Sequence, residues 1–408
     1  MPGWQLKSIG EVCEVLNGGT PKTATNTYWG GEHLWITPAE MGKRSNPYVD
    51  ATDRTLTDAG LGDSSARMLP PFSVILSSRA PIGHLVINTK AMATNQGCKG
   101  LVPGKSVHYK FLYYYLRSIV DLLNDLGTGT TFKEISAGKL KDVSIPVPPL
   151  AEQRRIVTIL DTVFEGIDKV ITKTEKNCSQ SRDVFQNYLQ AIFTRRGKDW
   201  EERALGDVCE FENGDRGKNY PNRDEYVEAG VPWINTGHIQ PDGSLSQIGM
   251  NFISFLKYKS LRSGKIRPGD LVYCLRGATL GKTALVAPFT MGAVASSLVI
   301  IRPKKSIDSL FLYYFLTSPT GQRLIKLYDN GTAQPNLGAK NVAKYRIPLP
   351  KMDDQKFIAK KIQSLAYETA KLESKYQRKR TLLNDFRHAL LHKVFSGNFS
   401  LVDKDVAA

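Results

Sequence analysis

The sequence predicts an α+β fold in which two similar globular domains are joined by two long antiparallel coiled-coil helices, related by a pseudo-two-fold axis. Three observations predict this architecture. The chain has 408 residues, and a single hydrophobic core stops growing at about 250–300 residues. The framework of the first half recurs in the second half in the same order. In each half a proline-rich segment is followed by a long stretch with heptad periodicity.

The two halves share short framework strings, whereas the segments that lie between these strings differ in sequence. Matches that keep their order over the whole chain indicate a tandem repeat. The divergent segments between the matches are expected if one scaffold carries two different binding surfaces, although drift of unconstrained loops would look the same. The matching strings are WQLKSIGEVCEVLNGG at 4–19 with WEERALGDVCEFENGD at 200–215, FLYYYL at 111–116 with FLYYFL at 311–316, and IPVPPLAEQ at 145–153 with IPLPKMDDQ at 347–355.

A seam of residues at alternating steps of four and three follows each proline-rich segment. The residue before a proline disfavours the helical region, so each helix has a defined start. A seam that persists over roughly five heptads is typical of a coiled coil. Its members are Ile156, Leu160, Val163, Ile167, Val170, Thr174, Asn177, Ser181, Val184, Tyr188 and Ala191 in the first helix, and Ile358, Ile362, Leu365, Thr369, Leu372, Tyr376, Lys379, Leu383, Phe386 and Leu390 in the second.

The second helix has only the seam of the first helix to bury against, so we expect the two to pair antiparallel. Antiparallel pairing also predicts that the end of the chain near Phe399 lies close to Trp4. We assign the globular domains to residues 1–150 and 200–352, and the two helices to residues 151–199 and 353–408.

The charge and the cysteine content restrict the partners and the compartment. Lys and Arg number 55 against 39 Asp and Glu, which gives a formal net charge of +16. Such an excess favours polyanionic partners, although many basic proteins bind none. Five widely separated cysteines without a C-x-x-C pair argue against a disulfide framework or a zinc knuckle. No apolar run is long enough to span a bilayer, so we expect a soluble, cytoplasmic protein with no membrane partner.

This arrangement resembles the specificity (S) subunit of type I restriction-modification systems over essentially the whole chain. The resemblance is carried by the duplicated W-x-x-x-x-(I/L)-G-(E/D)-V-C-E opening, SRAPIG at 78–83, LRGATLG at 275–281, GTGTTFKEI at 127–135 and IPVPPLAEQRRI at 145–156. It implies that each globular domain is a target recognition domain that reads one half of a bipartite, asymmetric site on double-stranded DNA. It also implies that the paired helices act as a ruler and dock two methyltransferase (M) subunits, which bind S-adenosylmethionine, and that motor-nuclease (R) subunits join for restriction.

Candidate DNA-binding residues lie in loops. An arginine at a strand end between small residues can reach a base edge or a phosphate, and the alternative is a solvated arginine or an ion pair within the domain. Gly/Thr loops let the backbone approach a phosphate, and Gln or Asn can bond bidentately to adenine. The candidates are Arg79, Thr130 and Lys133 in the first domain, and Arg216, Lys218, Arg276, Lys282, Gln334, Asn336 and Lys340 in the second. Lys22, Lys43 and Arg44 are weaker candidates.

We expect no catalysis and no cofactor on this chain. GATLGKT at 277–283 resembles a phosphate-binding loop, but Arg276 stands where the first glycine is required. LPPF at 69–72 lacks the asparagine of the N-P-P-F amino-methyltransferase motif. His388 and His392 share a helix face without a third ligand, so we predict no metal site. The alternative to a DNA-specificity protein is a coiled-coil scaffold whose two heads bind protein or RNA.

Overall fold

The computed structural model describes residues 4–129, 133–195, 197, 199–328 and 337–396. The chain divides into two compact units. The first comprises Met1–Thr174 and Arg378–Ala408, and the second comprises Glu175–Gln377. Each unit therefore contains one globular domain together with a part of both long helices. Both domains combine sheets with helices, which confirms the predicted α+β class.

The first unit contains three sheets. Its strands are β1 (Gln5–Ser8), β2 (Cys13–Asn17), β3 (Trp29–Ile36), β4 (Tyr48–Val49), β5 (Arg54–Leu56), β6 (Val74–Ser78), β7 (Ile82–Asn88), β8 (Met92–Thr94), β9 (Cys98–Pro103) and β10 (Ser144–Val147). Its helices are α1 (Ile9–Val12), α2 (Pro38–Met41), α3 (Asp58–Gly62), α4 (Tyr109–Ser118), α5 (Val120–Leu126), α6 (Ala137–Asp142) and the first part of α7 (Leu150–Thr194), with a 3-10 turn at Asn26–Tyr28. The strand orders are β2-β9-β6-β7-β4, β5-β3-β8 and β1-β10.

The central strand β6 separates two cores. Its sequence VILSS is buried at every position. Val74 and Leu76 face the cluster that contains α4, whereas Ile75 packs in a second cluster on the opposite face with Val86. Successive side chains of a strand point to opposite faces, so an uninterrupted apolar run is expected where both faces are covered. The buried tyrosines of α4 (Tyr113, Tyr114 and Tyr115) belong to the first cluster.

The second unit repeats the topology of the first. Its strands are β11 (Glu201–Ala204), β12 (Cys209–Asn213), β13 (Tyr226–Val227), β14 (Val231–Ile234), β15 (Asn251–Ile253), β16 (Leu271–Cys274), β17 (Thr283–Leu285), β18 (Ala293–Val294), β19 (Leu298–Pro303) and β20 (Arg346–Leu349). Its helices are α8 (Leu205–Val208), α9 (Phe255–Ser260), α10 (Ser309–Thr317), α11 (Pro319–Tyr328), α12 (Ala339–Val342), the second part of α7 and the first part of α13 (Met352–Phe395), with 3-10 turns at Arg223–Glu225 and Thr236–His238.

The sheets of the two units correspond strand for strand in their central parts. The order β12-β19-β16-β17 corresponds to β2-β9-β6-β7, and β11-β20 corresponds to β1-β10. In the third sheet, β14 pairs antiparallel with β15 and parallel with β18, as β3 pairs with β5 and β8. The predicted tandem repeat is therefore confirmed at the level of topology.

The long helices pair antiparallel, as predicted. Helix α7 has 45 residues and α13 has 44. In the first unit, Arg387 of α13 forms an ion pair with Asp168 of α7. In the second unit, Arg182 of α7 donates through Nε to an Oε of Glu373 of α13 at 2.8 Å. The two ion pairs are two heptads apart on each helix, so one antiparallel register describes the pairing within both units.

The predicted seam of α7 is correct at most positions of the first unit, where Val170 is the exception at 37% exposure, and it is wrong in the second unit. Ile156, Leu160 and Ile167 are buried as predicted. Val184 is 63% exposed and Tyr188 is also exposed. The stripe that packs into the core of the second unit consists instead of the buried residues Leu189 and Phe193 and the partly buried Phe185. A helix with 3.6 residues per turn drifts by about 20° per heptad against a 3.5-residue repeat. The second domain covers the face that this drift turns toward it.

The seam of α13 changes in the same way. Ile362 is buried in the second unit, as predicted. Phe386 and Lys379 were both predicted to lie in the seam, but both are exposed. The buried positions at the end of the helix are Leu391, Val394 and Phe395, which join the core of the first domain. The end of α13 is therefore a core helix of that domain as well as one half of a helix pair.

A buried glutamine fixes the start of each long helix to its own domain. The side chain of Gln153 accepts a hydrogen bond from the backbone N–H of His108 at 2.8 Å and donates to the carbonyl oxygens of Ser106 and Pro148. Gln355 makes the equivalent bonds in the second unit, to Asp308 N–H and to the carbonyl oxygens of Ser306 and Pro350. Satisfying three backbone groups in a buried position explains why both helices begin at the same point of the repeat.

The end of α13 lies beside the start of the chain. Trp4 packs against the core cluster that contains Phe395, and both residues line one cavity of the first unit. In the second unit, Trp200 packs in the same way against the cluster that contains Phe193. The predicted proximity of the two ends is confirmed up to residue 396, and Phe399 itself lies outside the described residues.

Candidate nucleic-acid interface

Three segments converge at one end of the five-stranded sheet of the first unit. The backbone carbonyl of Ser78, at the end of β6, accepts a hydrogen bond from Ile135 N–H at 3.0 Å. The backbone N–H of Ser78 donates to the carbonyl of Gly97 at 2.8 Å. The Gly/Thr segment that ends at Ile135 and the turn around Gly97 therefore flank the next residue, Arg79. The structure brings two of the predicted segments together here.

Arg79 occupies the middle of this arrangement and is partly engaged. Its guanidinium lies 3.9 Å from a carboxylate oxygen of Glu134, and its side chain is 43% exposed. Glu134 is also 3.4 Å from the ammonium of Lys99, which is buried. An exposed pair at this distance contributes little, at most about 1 kcal/mol. Arg79 therefore keeps most of its charge available to an external anion.

Lys133 and Thr130 belong to the same Gly/Thr segment. Lys133 is exposed and forms no ion pair with any residue that the structure describes. The segment is held by two reciprocal backbone hydrogen bonds between Thr128 and Glu134, at 3.0 and 2.9 Å. Thr130 lies outside the described residues. The structure thus places Lys133 beside the strand end that carries Arg79.

The turn between β8 and β9 adds a residue that sequence reasoning missed. Gln96 is exposed, and its side-chain oxygen accepts a hydrogen bond from the hydroxyl of Thr20. Thr20 in turn accepts from the side-chain amide of Asn95 at 2.8 Å. The loop after β2 is therefore tied to the turn beside Arg79. Gln96 is distant in sequence from Arg79 and lies in no motif, so no sequence pattern pointed to it.

The second unit repeats this convergence. The carbonyl of Leu275, just after β16, accepts from Leu337 N–H at 2.9 Å, and Leu275 N–H donates to the carbonyl of Ser297 at 2.9 Å. Arg276 follows directly, is exposed, and forms no ion pair with any described side chain. Lys340, three residues beyond Leu337, is exposed on α12. The other two candidates of this segment, Gln334 and Asn336, lie outside the described residues.

Both strand-end loops close on a glycine in the left-handed region. Gly83 has φ of 113° and Gly281 has φ of 84°. A side chain at either position would be strained, which explains why both loops end in glycine. The repeated backbone geometry supports treating Arg79 and Arg276 as equivalent residues.

Arg216 and Lys218 lie in the loop after β12, and Arg216 contacts the segment that converges near Arg276. Arg216 donates to the carbonyl oxygen of Ser296 at 3.2 Å, and Ser296 precedes the residue that bonds Leu275. Lys218 is exposed. The loop is organised by buried Asp215, whose carboxylate accepts from the backbone N–H groups of Arg262 and Gly217. These hydrogen bonds lower the pKa of the Asp215 carboxyl, so it stays ionised at neutral pH.

Two other candidates have different surroundings. Lys282 lines a cavity of about 610 Å³ together with Phe185 of α7 and Glu373 of α13, so it faces a cleft between the second domain and its helices. Arg44 pairs with Glu40 at 2.6 Å and donates to the carbonyl of Ala51, so its charge is used within the domain. Lys22 and Lys43 are exposed.

The described part of the chain shows neither a metal-binding cluster nor a membrane-spanning helix. No group of three or more His, Cys, Asp or Glu side chains is arranged to hold a metal ion. No helix within these ranges is long and apolar enough to cross a membrane.

Comparison with known proteins agrees with the duplicated fold. The family model of the type I restriction modification DNA specificity domain matches residues 1–177 and 197–381. The MjaIX specificity subunit of a type I restriction enzyme from Methanocaldococcus jannaschii is 28% identical over 412 residues, which cover 97% of this chain and 93% of that protein.

Two solved structures share the fold. A chain of a type I R-M system, solved in a study of its complex assembly and conformational transition, superposes with a TM-score of 0.81 at 19% identity and covers 98% of this chain and 99% of that chain. The HsdS subunit from Thermoanaerobacter tengcongensis superposes with a TM-score of 0.59 at 19% identity, covering 98% of each chain.

The duplicated fold and the family match together define a tandem DNA-specificity protein with two similar domains. The chain belongs to the type I restriction-modification DNA specificity family. Its curated relatives are specificity subunits, so its role is to specify a DNA sequence and it is not a catalytic subunit.

Proposed function

We propose that each domain reads one half of a bipartite, asymmetric site on duplex DNA. The observation that carries this proposal is the duplicated convergence of loops at one end of each central sheet. In both domains an arginine follows the buried strand, and a second basic residue lies close by: Lys133 beside Arg79, and Arg216 beside Arg276. Basic side chains around strand ends suit both phosphate and base-edge contacts. The differing loops of the two domains suit two different half-sites.

The paired helices are proposed to dock two methyltransferase subunits, which would bind S-adenosylmethionine, with motor-nuclease subunits joining for restriction. Large apolar side chains remain exposed along both helices. Such residues on a helix surface favour protein contacts. They are Val170, Val184 and Tyr188 on α7, and Phe357, Tyr367, Leu372, Leu382 and Phe386 on α13.

Replacing Arg79 or Arg276 by alanine tests the reading role. We expect each variant to relax the recognised bases in one half-site only, with a loss of about 1–3 kcal/mol in discrimination at the affected position. The measurement is the map of methylated adenines in cells that contain the chain and its methyltransferase. The matched control is Arg44→Ala, whose guanidinium is engaged within the domain. Unchanged methylation maps for both variants would show that the two arginines are solvated surface residues that read no bases.

The stoichiometry of the complex tests the docking role. We expect the purified chain alone to methylate no DNA, and activity to appear with methyltransferase at two partners per chain. The physical reason is that the repeat supplies two equivalent helix–domain surfaces. Labelled S-adenosylmethionine transfer and the mass of the complex provide the measurement. Normal methylation of both strands by a complex of one partner per chain would contradict the proposal.

A competition between RNA and duplex DNA at rising salt tests the scaffold alternative. RNA that competes equally with duplex DNA would favour that alternative.

A further inference from the structure

Helix α9 of the second domain carries apolar side chains that point into solvent. Leu256 is 80% exposed, and Phe255 is half exposed. Phe255 stacks on Tyr258 with ring centroids 6.2 Å apart, and the ammonium of Lys259 lies 4.7 Å from the Phe255 ring centre. Lys265 covers the other aromatic ring at 5.1 Å. The helix thus presents a leucine next to aromatic rings and ammonium groups, and no described residue of the unit covers that leucine.

The segment around α9 is basic throughout. Residues 254–267 read SFLKYKSLRSGKIR and contain five Lys or Arg and no acidic residue. Lys259 and Arg262 are exposed. An apolar protein-docking surface usually lacks such an excess of charge at its centre, whereas a nucleic-acid surface requires it.

Hydrogen bonds join α9 to the loops that converge near Arg276. Asn219 donates through its side-chain amide to the carbonyl of Ser260 at 2.7 Å, and Arg262 N–H donates to Asp215 at 2.8 Å. The same loop holds Arg216, which bonds the carbonyl of Ser296. Helix α9 is therefore continuous with the candidate interface of its domain.

The acidic residues beside this surface are mostly engaged. Glu225 pairs with Lys257 at 2.6 Å. Glu212 accepts from the backbone N–H groups of Gly264 and Lys265 and pairs with Arg302. Asp224 is exposed on the neighbouring 3-10 turn and is the one carboxylate of that turn for which no partner is found among the described residues. The balance of the surface stays positive.

The corresponding helix of the first domain has the opposite chemistry. Helix α3 follows β5 as α9 follows β15, and it reads DAGLG. Asp58 pairs with His33 at 2.7 Å, and Asp63 accepts from the hydroxyl of Tyr28. Carboxylates at this position oppose a phosphate backbone. The basic, apolar helix is therefore a property of the second domain alone.

We propose that α9 is a base-reading element of the second domain. Leu256 packs against a thymine methyl group in the major groove, and Lys259 and Arg262 bind flanking phosphates. Apolar contact with the C5-methyl group is how a protein distinguishes thymine without a hydrogen bond. The inference rests on the proposed function and deepens it, since it names the base chemistry that this domain reads.

The test selects duplexes from a library with a randomised central segment, using the full chain and the variants Leu256→Ala, Leu256→Met and Lys259→Ala. We expect Leu256→Ala to lose the preference for a T–A pair at one position on the order of ten-fold, in the half-site that Arg276→Ala also alters. Leu256→Met should retain the preference. Lys259→Ala should weaken binding to all sequences and reduce the slope of log affinity against log salt by about one.

Two matched controls separate this role from general effects. Lys305→Ala removes an exposed lysine of the same domain at the opposite end of β19, and Leu6→Ala removes an exposed leucine in β1. Both should leave selection and salt slope unchanged. Because Leu256 is exposed, Leu256→Ala should unfold at the same temperature as the wild type.

Three results would overturn the proposal. The first is that Leu256→Ala selects the same DNA sequences as the wild type. The second is that Leu256→Ala no longer associates with the methyltransferase but still selects the same DNA sequences. That result would identify α9 as a protein-docking surface. The third is that the wild-type chain selects no DNA sequence. That result would overturn the proposed function itself, and with it the proposal that α9 reads bases.

Discussion

Replacing Phe395 by alanine should lower the free energy of unfolding of the first unit by about 3–5 kcal/mol. Phe395 packs edge-on against Phe111 at 5.2 Å and Tyr115 at 5.4 Å between ring centroids. Removing the ring leaves a cavity between the end of α13 and helix α4. Urea unfolding followed by hydrogen exchange of the α4 amides measures the loss in that unit.

The repeat supplies an internal comparison for this prediction. Phe193 packs against Phe311 and Phe315 at 5.3 and 5.5 Å, so Phe193→Ala should destabilise the second unit by a similar amount. Phe386→Ala is the matched control, because this ring lies on α13 but is 53% exposed, and its loss should cost less than about 0.5 kcal/mol. A first unit as stable in Phe395→Ala as in the wild type would contradict the assignment of the α13 end to its core.

Inserting seven residues into both long helices should lengthen the unread spacer of the DNA site and leave both half-sites unchanged. The insertions belong after Thr174 in α7 and after Gln377 in α13, where the chain passes from one compact unit to the other. Seven helical residues add about 10 Å, the rise of about three base pairs. Each unit keeps its own helix contacts, including the Asp168–Arg387 and Arg182–Glu373 ion pairs. Mapping methylated adenines in cells with the methyltransferase reads the spacer.

A single insertion is the control for the double one. An insertion in α7 alone shifts that helix by two turns against α13, so the register shared by the two ion pairs is lost. We expect this variant to unfold at lower temperature than both the wild type and the double insertion. A double insertion that folds but recognises the wild-type spacer would refute the proposal that the paired helices set the spacer length.

The repeat, the helices and the start of each domain could be predicted because they depend on local signals. The Trp4 and Trp200 strings and the proline-rich segments recur in order, and periodicity identifies a helix without knowledge of its partners. The strand-end arginines could be predicted for the same reason, since Arg79 and Arg276 follow apolar runs and precede glycines. Whether they read bases stays a prediction.

The buried face of the helices could not be predicted beyond the first few heptads. Val184 and Phe185 are adjacent, and both are apolar, so the sequence permits either stripe. Phe185 packs into the core, and Val184 does not, because the second domain contacts the helix face that carries Phe185. Similarly, Leu372 and Phe386 fit the heptad pattern but remain exposed. A heptad pattern describes pairing with one helix and carries no information on a domain beside it.

The sequence by itself determined the duplicated α+β architecture, the antiparallel long helices and the family, because each rests on order and spacing along the chain. Only the tertiary structure decided which side chains meet. It placed the turn of Gln96 beside the strand end of Arg79 through the backbone hydrogen bond between Ser78 and Gly97. It linked Arg262 and α9 to the Arg216 loop through Asp215. It also placed Lys282 in a cleft and paired Arg44 with Glu40 within its own domain. Most of these contacts connect residues far apart in sequence, and strand pairing and burial, which depend on the whole fold, set their neighbours.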